Sequence, residues 1–209
     1  MEKVYLQPCD WIEQDVGYKY VVDVFGRTHN GDVARLRITG FQPYLYLKAH
    51  DGETPSMVEQ AIVRASEKPI RDLRITSELK LDAMRGFTGL EPTRVWKITC
   101  KSLYAFKAVG RALKQTKIGK RSVVTDDVYE ADLPPLLRMF HMRDVTPASP
   151  IMFTGEPVEI QDDARVDISY QCEYDDVSPY ASLTIPLLVG SYDIEVYSST
   201  GQFPVSTIP

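Results

Sequence analysis

Alternating hydrophobic and polar positions in the first half of the chain predict short strands interrupted by helices. Runs rich in β-branched and aromatic residues at 18–25, 33–39 and 43–48 predict three strands, and a similar run at 94–100 predicts a fourth. The Asn30-Gly31 pair between the first two runs predicts a tight hairpin, because both central residues of a two-residue turn need positive φ.

Three other stretches have apolar residues spaced three and four apart, as on one face of a helix. The first follows Ser56 and Glu59, which have the spacing of a capping box. The second begins after Ser102, and the third begins at Asp132, where two prolines follow in positions that suit a first helical turn. Strands combined with packed helices predict an α+β fold.

Composition places the chain among ordinary globular proteins, with 44% apolar and 25% charged residues. No run of 18 apolar residues occurs and the N-terminus lacks the apolar core of a secretion signal, so we expect neither a membrane partner nor secretion. Cys9, Cys100 and Cys172 are far apart in the sequence, which argues against a zinc site or a disulfide framework and fits a reducing compartment.

The net charge of −5 conceals a marked segregation of charge along the chain. Residues 94–125 carry nine basic side chains and no acid, whereas residues 126–209 carry three basic and 15 acidic side chains. Such a basic stretch attracts phosphates. Its alternative interpretation is a solvated helix face that pairs with acids of the C-terminal third. The predicted nucleic-acid contacts are Lys107, Arg111 and Lys114 on one helix face, with Lys117, Lys120 and Arg121 after it.

A pair of carboxylates in the run 187–197 is the strongest indication of chemistry. This apolar, β-branched run predicts a buried strand, which places Asp193 and Glu195 on one face, about 7 Å apart. Two buried like charges require a cation between them, and divalent metals with oxygen ligands can hydrolyse phosphodiesters. The alternative is an edge strand whose two acids are merely solvated.

Four segments resemble family B DNA polymerases, in the order in which that family has them. Residues 191–204 resemble the first exonuclease motif, in which a D-I-E strand precedes a glycine-containing loop and F-P. Residues 41–48 resemble an aromatic strand of the N-terminal domain, 97–113 the strand and helix before the exonuclease, and 128–140 the stretch just upstream of it. The opening of the chain is similar to delta-type polymerases of large DNA viruses.

The resemblance implies a fold and an activity. It implies that residues 1–182 form the polymerase N-terminal domain with mixed sheets and packed helices, including an acidic β-rich segment at about 150–177. Residues 183–209 would then begin a ribonuclease H-like 3′–5′ exonuclease domain. Asp193 and Glu195 would be two of four acidic ligands for Mg²⁺ or Mn²⁺. Because the other ligands and the polymerisation motifs are absent, we expect this chain alone to be inactive and to hold no metal tightly.

The same resemblance implies partners and a second site. The partners would be single-stranded template and primer-template DNA, the rest of the polymerase chain and a sliding-clamp processivity factor, in the nucleus or at a viral replication site. In archaeal members, the regions matching Pro43-Tyr44 and Tyr129 to Pro134 line a pocket that detects uracil in the template, which implies Pro43, Tyr44, Tyr129 and Asp132 as its residues here. Alternatively, these residues belong to the core of a small sheet.

A second hypothesis from another functional class stays open. The chain could be a non-catalytic module that binds RNA or a protein partner through a small sheet. Asp193 and Glu195 would then be solvated acids without a metal.

Overall fold

The computed structural model describes residues 2–66, 68–81, 92–160, 165–182, 185–187, 190 and 191. Its helices are α1 (Pro55–Ala65), α2 (Leu103–Leu113) and α3 (Pro135–Arg143). Its strands are β1 (Glu2–Val16), β2 (Lys19–Thr28), β3 (Val33–Thr39), β4 (Tyr44–Lys48), β5 (Arg74–Leu81), β6 (Pro92–Thr99), β7 (Lys117–Ile118), β8 (Arg121–Ser122), β9 (Val128–Tyr129), β10 (Ile151–Val158), β11 (Ile168–Glu173) and β12 (Val177–Pro179).

One sheet closes into a barrel. Its strand order is β1-β2-β3-β11-β10, and β1 also pairs with β10, which joins the two ends. β3 and β11 are parallel, and the other pairs are antiparallel. This is the topology of a five-stranded Greek-key barrel of the OB-fold type, with β12 added beside β10. Its interior is filled by fully buried side chains such as Leu6, Val24, Leu36, Ile151 and Phe153.

The segment between β3 and β10 forms a second layered unit. Its four-stranded sheet has the order β5-β6-β4-β9, and its chain order is βαββαβ, which is a ferredoxin-like arrangement. Alternate residues of the two central strands pack against both α1 and α2; Leu45, Leu47, Trp96 and Ile98 are the buried examples. The two helices therefore cover one face of the sheet and leave the opposite face to other side chains.

The third helix packs on the barrel. Met139 and Phe140 of α3 belong to the barrel core, and the ring of Trp11 lies edge-on to that of Phe140 with centroids 4.8 Å apart. The mixture of sheets and packed helices confirms the α+β class that the sequence predicts. The segment at 150–177 contains β10 and β11.

The predicted hairpin and first capping box are wrong in detail. The loop between β2 and β3 has four residues, all of them described, and among these only Gly31 has a positive φ, of +97°. α1 is capped by Thr54, whose hydroxyl accepts a hydrogen bond from the Met57 amide, and it begins at Pro55. Ser56 lies inside the helix, because proline already occupies the first helical position.

The second predicted cap is confirmed, and the third is wrong. The Ser102 hydroxyl accepts a hydrogen bond from the Ala105 amide at 3.0 Å and begins α2. α3 begins at Pro135, three residues beyond the predicted start at Asp132, because Leu133 and Pro134 remain extended or in a turn ahead of it. The Asp132 carboxylate faces Lys114 instead.

The proposed exonuclease segment lies almost entirely outside the described residues. Of residues 183–209, the structure describes 185–187, 190 and 191. Asp193, Glu195 and most of the predicted strand at 187–197 lie outside the described part. The boundary proposed between residues 182 and 183 therefore stays a prediction.

Candidate nucleic-acid interface

The basic segment folds largely onto the outer face of α2 and the hairpin that follows it. α2 buries Phe106, Val109 and Leu113 against the sheet because these residues recur every three or four positions. The cations on the opposite face and in the β7–β8 hairpin are exposed. We call this set the basic surface: Lys107, Arg111, Lys114, Lys117 and Lys120.

Four of these five cations have no ion pair with any residue that the structure describes. The exception is Lys114, whose Nζ lies 3.5 Å from a carboxylate oxygen of Asp132. Both side chains are largely exposed, so solvent screens this pair and it contributes little. The basic surface therefore keeps a positive field that phosphate can neutralise.

Arg121 lies in a different environment from the other predicted contacts. Its Nε lies 2.8 Å from Glu53 and its Nη1 lies 2.6 Å from Asp127, and its side chain is only 20% exposed. Burial alone would raise the pKa of Glu53, but hydrogen bonds from Arg121, the His50 amide and Trp96 hold that pKa below its ordinary value. The charge of Arg121 is thus neutralised by acids of the protein itself, and we do not count Arg121 as part of the basic surface.

The remaining cations of the segment are paired as well. Arg94, Lys97 and Lys101 form ion pairs with Asp51, Glu78 and Asp72 respectively. These acids belong to the first half of the chain, whereas Asp127 and Asp132 belong to the C-terminal third. The alternative interpretation of the basic run is that its cations pair with acids of the protein. That interpretation therefore holds for part of the segment.

A cavity of about 280 Å³ lies on the sheet face that α1 and α2 leave uncovered. Of the four residues predicted to form a template-base pocket, Tyr44 and Tyr129 line it. Pro43 is buried and Asp132 is exposed beside Lys114, and neither lines the cavity. The other lining residues are Tyr46, Lys80, Leu81, Thr93, Val95, Glu130 and Arg138.

Cations already contact the aromatic rings of this cavity. The guanidinium carbon of Arg138 lies 4.0 Å from the ring centroid of Tyr44, and the Lys97 ammonium lies 4.3 Å from the same centroid. Arg138 is buried and paired with Glu130. A ligand here would therefore meet aromatic edges and positive charge in a space large enough for one planar ring system.

The hydroxyl of Tyr46 stays protonated in this environment. Burial raises its pKa first, and the neighbouring Tyr44, Glu78 and Glu130 raise it further, whereas Arg138 opposes them. Tyr46, which lines the cavity, therefore keeps its hydroxyl proton at physiological pH.

Sequence reasoning missed Arg138 and Lys80 as parts of this cavity, whereas Glu130 falls within the predicted stretch from Tyr129 to Pro134. Arg138 follows Tyr44 by 94 residues, and only the packing of α3 beside β4 brings the two together. The local pattern around Arg138 indicates a helix but carries no information about what its guanidinium contacts.

The described residues contain neither a cluster of metal ligands nor a membrane-spanning helix. No group of three or more His, Cys, Asp or Glu side chains in the described part of the chain could hold a metal ion. Within the same residues, no helix is long and apolar enough to cross a membrane.

Comparisons with known proteins identify viral DNA polymerases as relatives. No protein-family model matches the chain. It is 25% identical over 216 residues to the DNA polymerase of Pyramimonas orientalis virus, which covers 95% of this chain and 18% of that protein. It is 25% identical over 211 residues to the DNA polymerase of Paramecium bursaria Chlorella virus NY2A, covering 97% of this chain and 22% of that protein. The chain spans about a fifth of the length of these relatives.

A solved structure has the same fold. The family B DNA polymerase from the hyperthermophilic archaeon Pyrobaculum calidifontis matches 85% of this chain and 20% of its own, with a TM-score of 0.59 and 23% sequence identity. Together, the viral relatives and this fold confirm the resemblance to family B DNA polymerases that the sequence motifs indicate.

Proposed function

We propose that this chain is part of a DNA-directed DNA polymerase with a 3′–5′ proofreading exonuclease, and that its described part binds single-stranded DNA. The viral relatives are DNA polymerases, and their similarity extends over nearly all of this chain. This supports polymerase activity of the complete protein. The basic surface supports the proposal that this chain contributes single-strand binding to that activity. The site of action is the nucleus or a viral replication site.

The basic surface carries this proposal. Lys107, Arg111 and Lys114 are exposed on one face of α2, and α2 is anchored to the sheet by its opposite face. Cations fixed on a rigid element can track a phosphate backbone without a large loss of conformational entropy. No acid interrupts the sequence from 94 to 125, and of these three cations Lys114 alone pairs with a described acid, the exposed Asp132.

Replacing Lys107, Arg111 and Lys114 together by alanine tests the proposal. We expect weaker binding of a fluorescent single-stranded oligonucleotide. We also expect a slope of log affinity against log salt concentration that is smaller by about 2, since three phosphate contacts disappear. A matched triple variant of Lys3, Lys19 and Lys48, which lie in the barrel and at the end of β4, should bind as the wild type does. Equal slopes for the two variants would reject the assignment.

Proofreading and its metals are the second part of the proposal. Asp193 and Glu195 would hold Mg²⁺ or Mn²⁺ in the complete polymerase, together with acids from other motifs, and the chain alone would not cleave DNA. Incubating the chain with labelled single-stranded DNA and either metal checks this. Trimming of the 3′ end that an Asp193→Ala variant loses would contradict inactivity of the isolated chain.

The aromatic cavity favours a second candidate function, the binding of one extruded template base. Tyr44 and Tyr129 line a space of about 280 Å³, and Tyr46 also lines it and keeps its hydroxyl proton. A fluorescence titration should then distinguish uracil-containing from thymine-containing single strands, and Tyr129→Ala should abolish the difference. Equal affinities for the two strands would end this proposal.

The same oligonucleotide-binding assay distinguishes an RNA-binding module from part of a DNA polymerase. If the basic surface serves a module of that kind, an RNA oligonucleotide of the same sequence should bind more tightly than DNA. Equal or tighter binding of DNA supports the polymerase assignment.

A further inference from the structure

A groove of about 500 Å³ runs beside the outer face of α2, between that helix and the end of α1. It is distinct from the aromatic cavity, which lies on the opposite face of the four-stranded sheet. Its residues from α2 recur at helical spacing, which gives the groove one continuous wall. The lining residues are Ala65, Ser66, Lys68, Tyr104, Ala108, Arg111, Ala112, Lys114 and Gln115.

The chemistry of the groove is cationic and aromatic. Lys68, Arg111 and Lys114 supply positive charge, and the described lining includes no acid. Ala65, Ala108 and Ala112 are small, so the floor of the groove stays open between the longer side chains. The volume lies within the range of sites that bind small organic groups.

Tyr104 is the feature that distinguishes this groove from a solvated basic helix face. Its side chain is 41% exposed, so the ring is accessible to a ligand, and it packs against no other aromatic ring among the described residues. Its backbone amide is fixed by a hydrogen bond of 2.8 Å to the Asp15 carboxylate, which holds the start of α2 in place. The ring is thus presented on a rigid support beside the cations.

We propose that this groove binds single-stranded DNA by stacking a base on Tyr104 while Lys68, Arg111 and Lys114 contact the flanking phosphates. The inference rests on the proposed single-strand binding and names the residue that makes the surface prefer single strands. Cations alone attract single and double strands alike, whereas a tyrosine ring can stack only on a base whose face is free. A duplex keeps its bases stacked on each other and offers no such face.

The experiment compares two substitutions at Tyr104 in the full chain. Tyr104→Leu keeps an apolar side chain but removes the ring, and Tyr104→Phe keeps the ring. The probes are a fluorescent oligothymidylate of about 12 nucleotides, an abasic oligomer of the same length and a duplex. Tyr18→Leu is the matched control, because Tyr18 is an 89% exposed tyrosine in the turn between β1 and β2 and does not line the groove.

We expect Tyr104→Leu to weaken binding of the oligothymidylate about fivefold or more, which corresponds to at least ~1 kcal/mol per stacked base. Its affinity for the abasic oligomer and the duplex should not change, and neither should the salt slope, since no charge is removed. Tyr104→Phe and Tyr18→Leu should bind as the wild type does. Thermal unfolding of each variant checks that it is folded.

The possible failures point to different conclusions. If Tyr104→Leu binds oligothymidylate as the wild type does while the Lys107, Arg111 and Lys114 triple variant loses affinity, stacking in the groove is rejected and phosphate binding stands. If the triple variant also binds normally, or if the wild type does not bind, the proposed single-strand binding fails as well. An equal loss on the abasic oligomer would reject base stacking in favour of a change in structure.

Discussion

At the scale of single residues, the half-buried cluster of Arg121, Glu53 and Asp127 shows how a cation of the basic run acquires a structural role. One guanidinium bridges two carboxylates, and Glu53 also accepts hydrogen bonds from Trp96 and the His50 amide. Removing one member of such a cluster leaves the others without a partner in a region of low solvent access. The cluster fastens the β7–β8 hairpin, and with it the end of the basic surface, to the start of α1.

Glu53→Gln is expected to lower the free energy of unfolding at pH 7 by about 2 kcal/mol, because charge-assisted hydrogen bonds are lost. The pKa of Glu53 is lower in the folded state, so its contribution is complete above the unfolded pKa of about 4.3 and is lost as pH falls through the folded pKa. Urea unfolding at pH 7, 5, 4 and 3 should therefore show the two proteins converging at the acid end.

The matched control is Glu59→Gln, since Glu59 is an exposed acid on α1. Its difference from the wild type should stay within about 0.5 kcal/mol at every pH. A Glu53→Gln deficit that is as large at pH 3 as at pH 7 would contradict the ionic role of Glu53.

Residue-level prediction from the sequence succeeds where the chemistry is local. Ser102 is recognisable as a cap because its hydroxyl bonds an amide three residues later. The contact of Arg138 with Tyr44 is not recognisable, because it depends on the path of the chain over 94 residues. Tyr104 lies between these cases, since its helical spacing from Lys107 and Arg111 predicts a shared face but not the groove beside it.

At the scale of elements, the barrel and the layered unit are joined at the start of α2. The Asp15 carboxylate, at the end of β1, accepts hydrogen bonds from the amides of Leu103 and Tyr104 at 2.6 and 2.8 Å. Together with Ser102, it satisfies amides that no helical carbonyl can reach. Its negative charge also suits the positive end of the helix dipole.

Asp15→Ala is expected to lower the free energy of unfolding by about 1 kcal/mol, because two amides at the start of α2 lose their partner. Asp15→Asn keeps one acceptor oxygen and should lose less. Thermal and urea unfolding measure both. Asp176→Ala is the control and should be nearly neutral, because the Asp176 side chain is exposed and has no hydrogen bond or ion pair with a described residue. A loss for Asp176→Ala equal to that for Asp15→Ala would contradict a specific cap.

Element prediction fails for the two strands with little to bury. β1 is 15 residues long, but its register shifts between Pro8 and Asp10, and most of its later residues face solvent, so no steady alternation appears. β5 is an edge strand that leaves Leu79 and Leu81 mostly exposed. Hydrophobic alternation is selected only where one face of a strand is buried, and neither strand meets that condition along its length.

At the scale of the whole molecule, the order of the elements predicts an α+β class but not the division into a barrel and a layered unit. β3 and β10 belong to one barrel although the complete layered unit lies between them in the chain. Pairings over such distances leave no periodic trace in the sequence. The motifs that resemble family B polymerases carry that information instead, because they refer to a fold already known.

Part of the charge segregation of the sequence is kept in space, which affects what a ligand can approach, although Asp132 and Asp127 of the acidic third pair with Lys114 and Arg121. β10, β11 and the turn after them carry exposed acids, among them Glu156, Glu173 and Asp175, whereas the basic surface lies on α2. A polyanion is repelled by the first region and attracted by the second. A net charge of −5 is therefore compatible with DNA binding through one face.

Lysine reactivity across the molecule tests this arrangement. In the presence of oligothymidylate, acetylation measured by mass spectrometry should fall at Lys107, Lys117 and Lys120 of the basic surface, because bound phosphates occlude their amines. Lys3 and Lys19 on the barrel are also exposed and should react as they do without DNA. At high salt each of the five lysines should react equally with and without DNA, since screening releases the strand. Protection of Lys3 and Lys19 together with the others would show binding without a preferred face and would contradict the separation of charge as its cause.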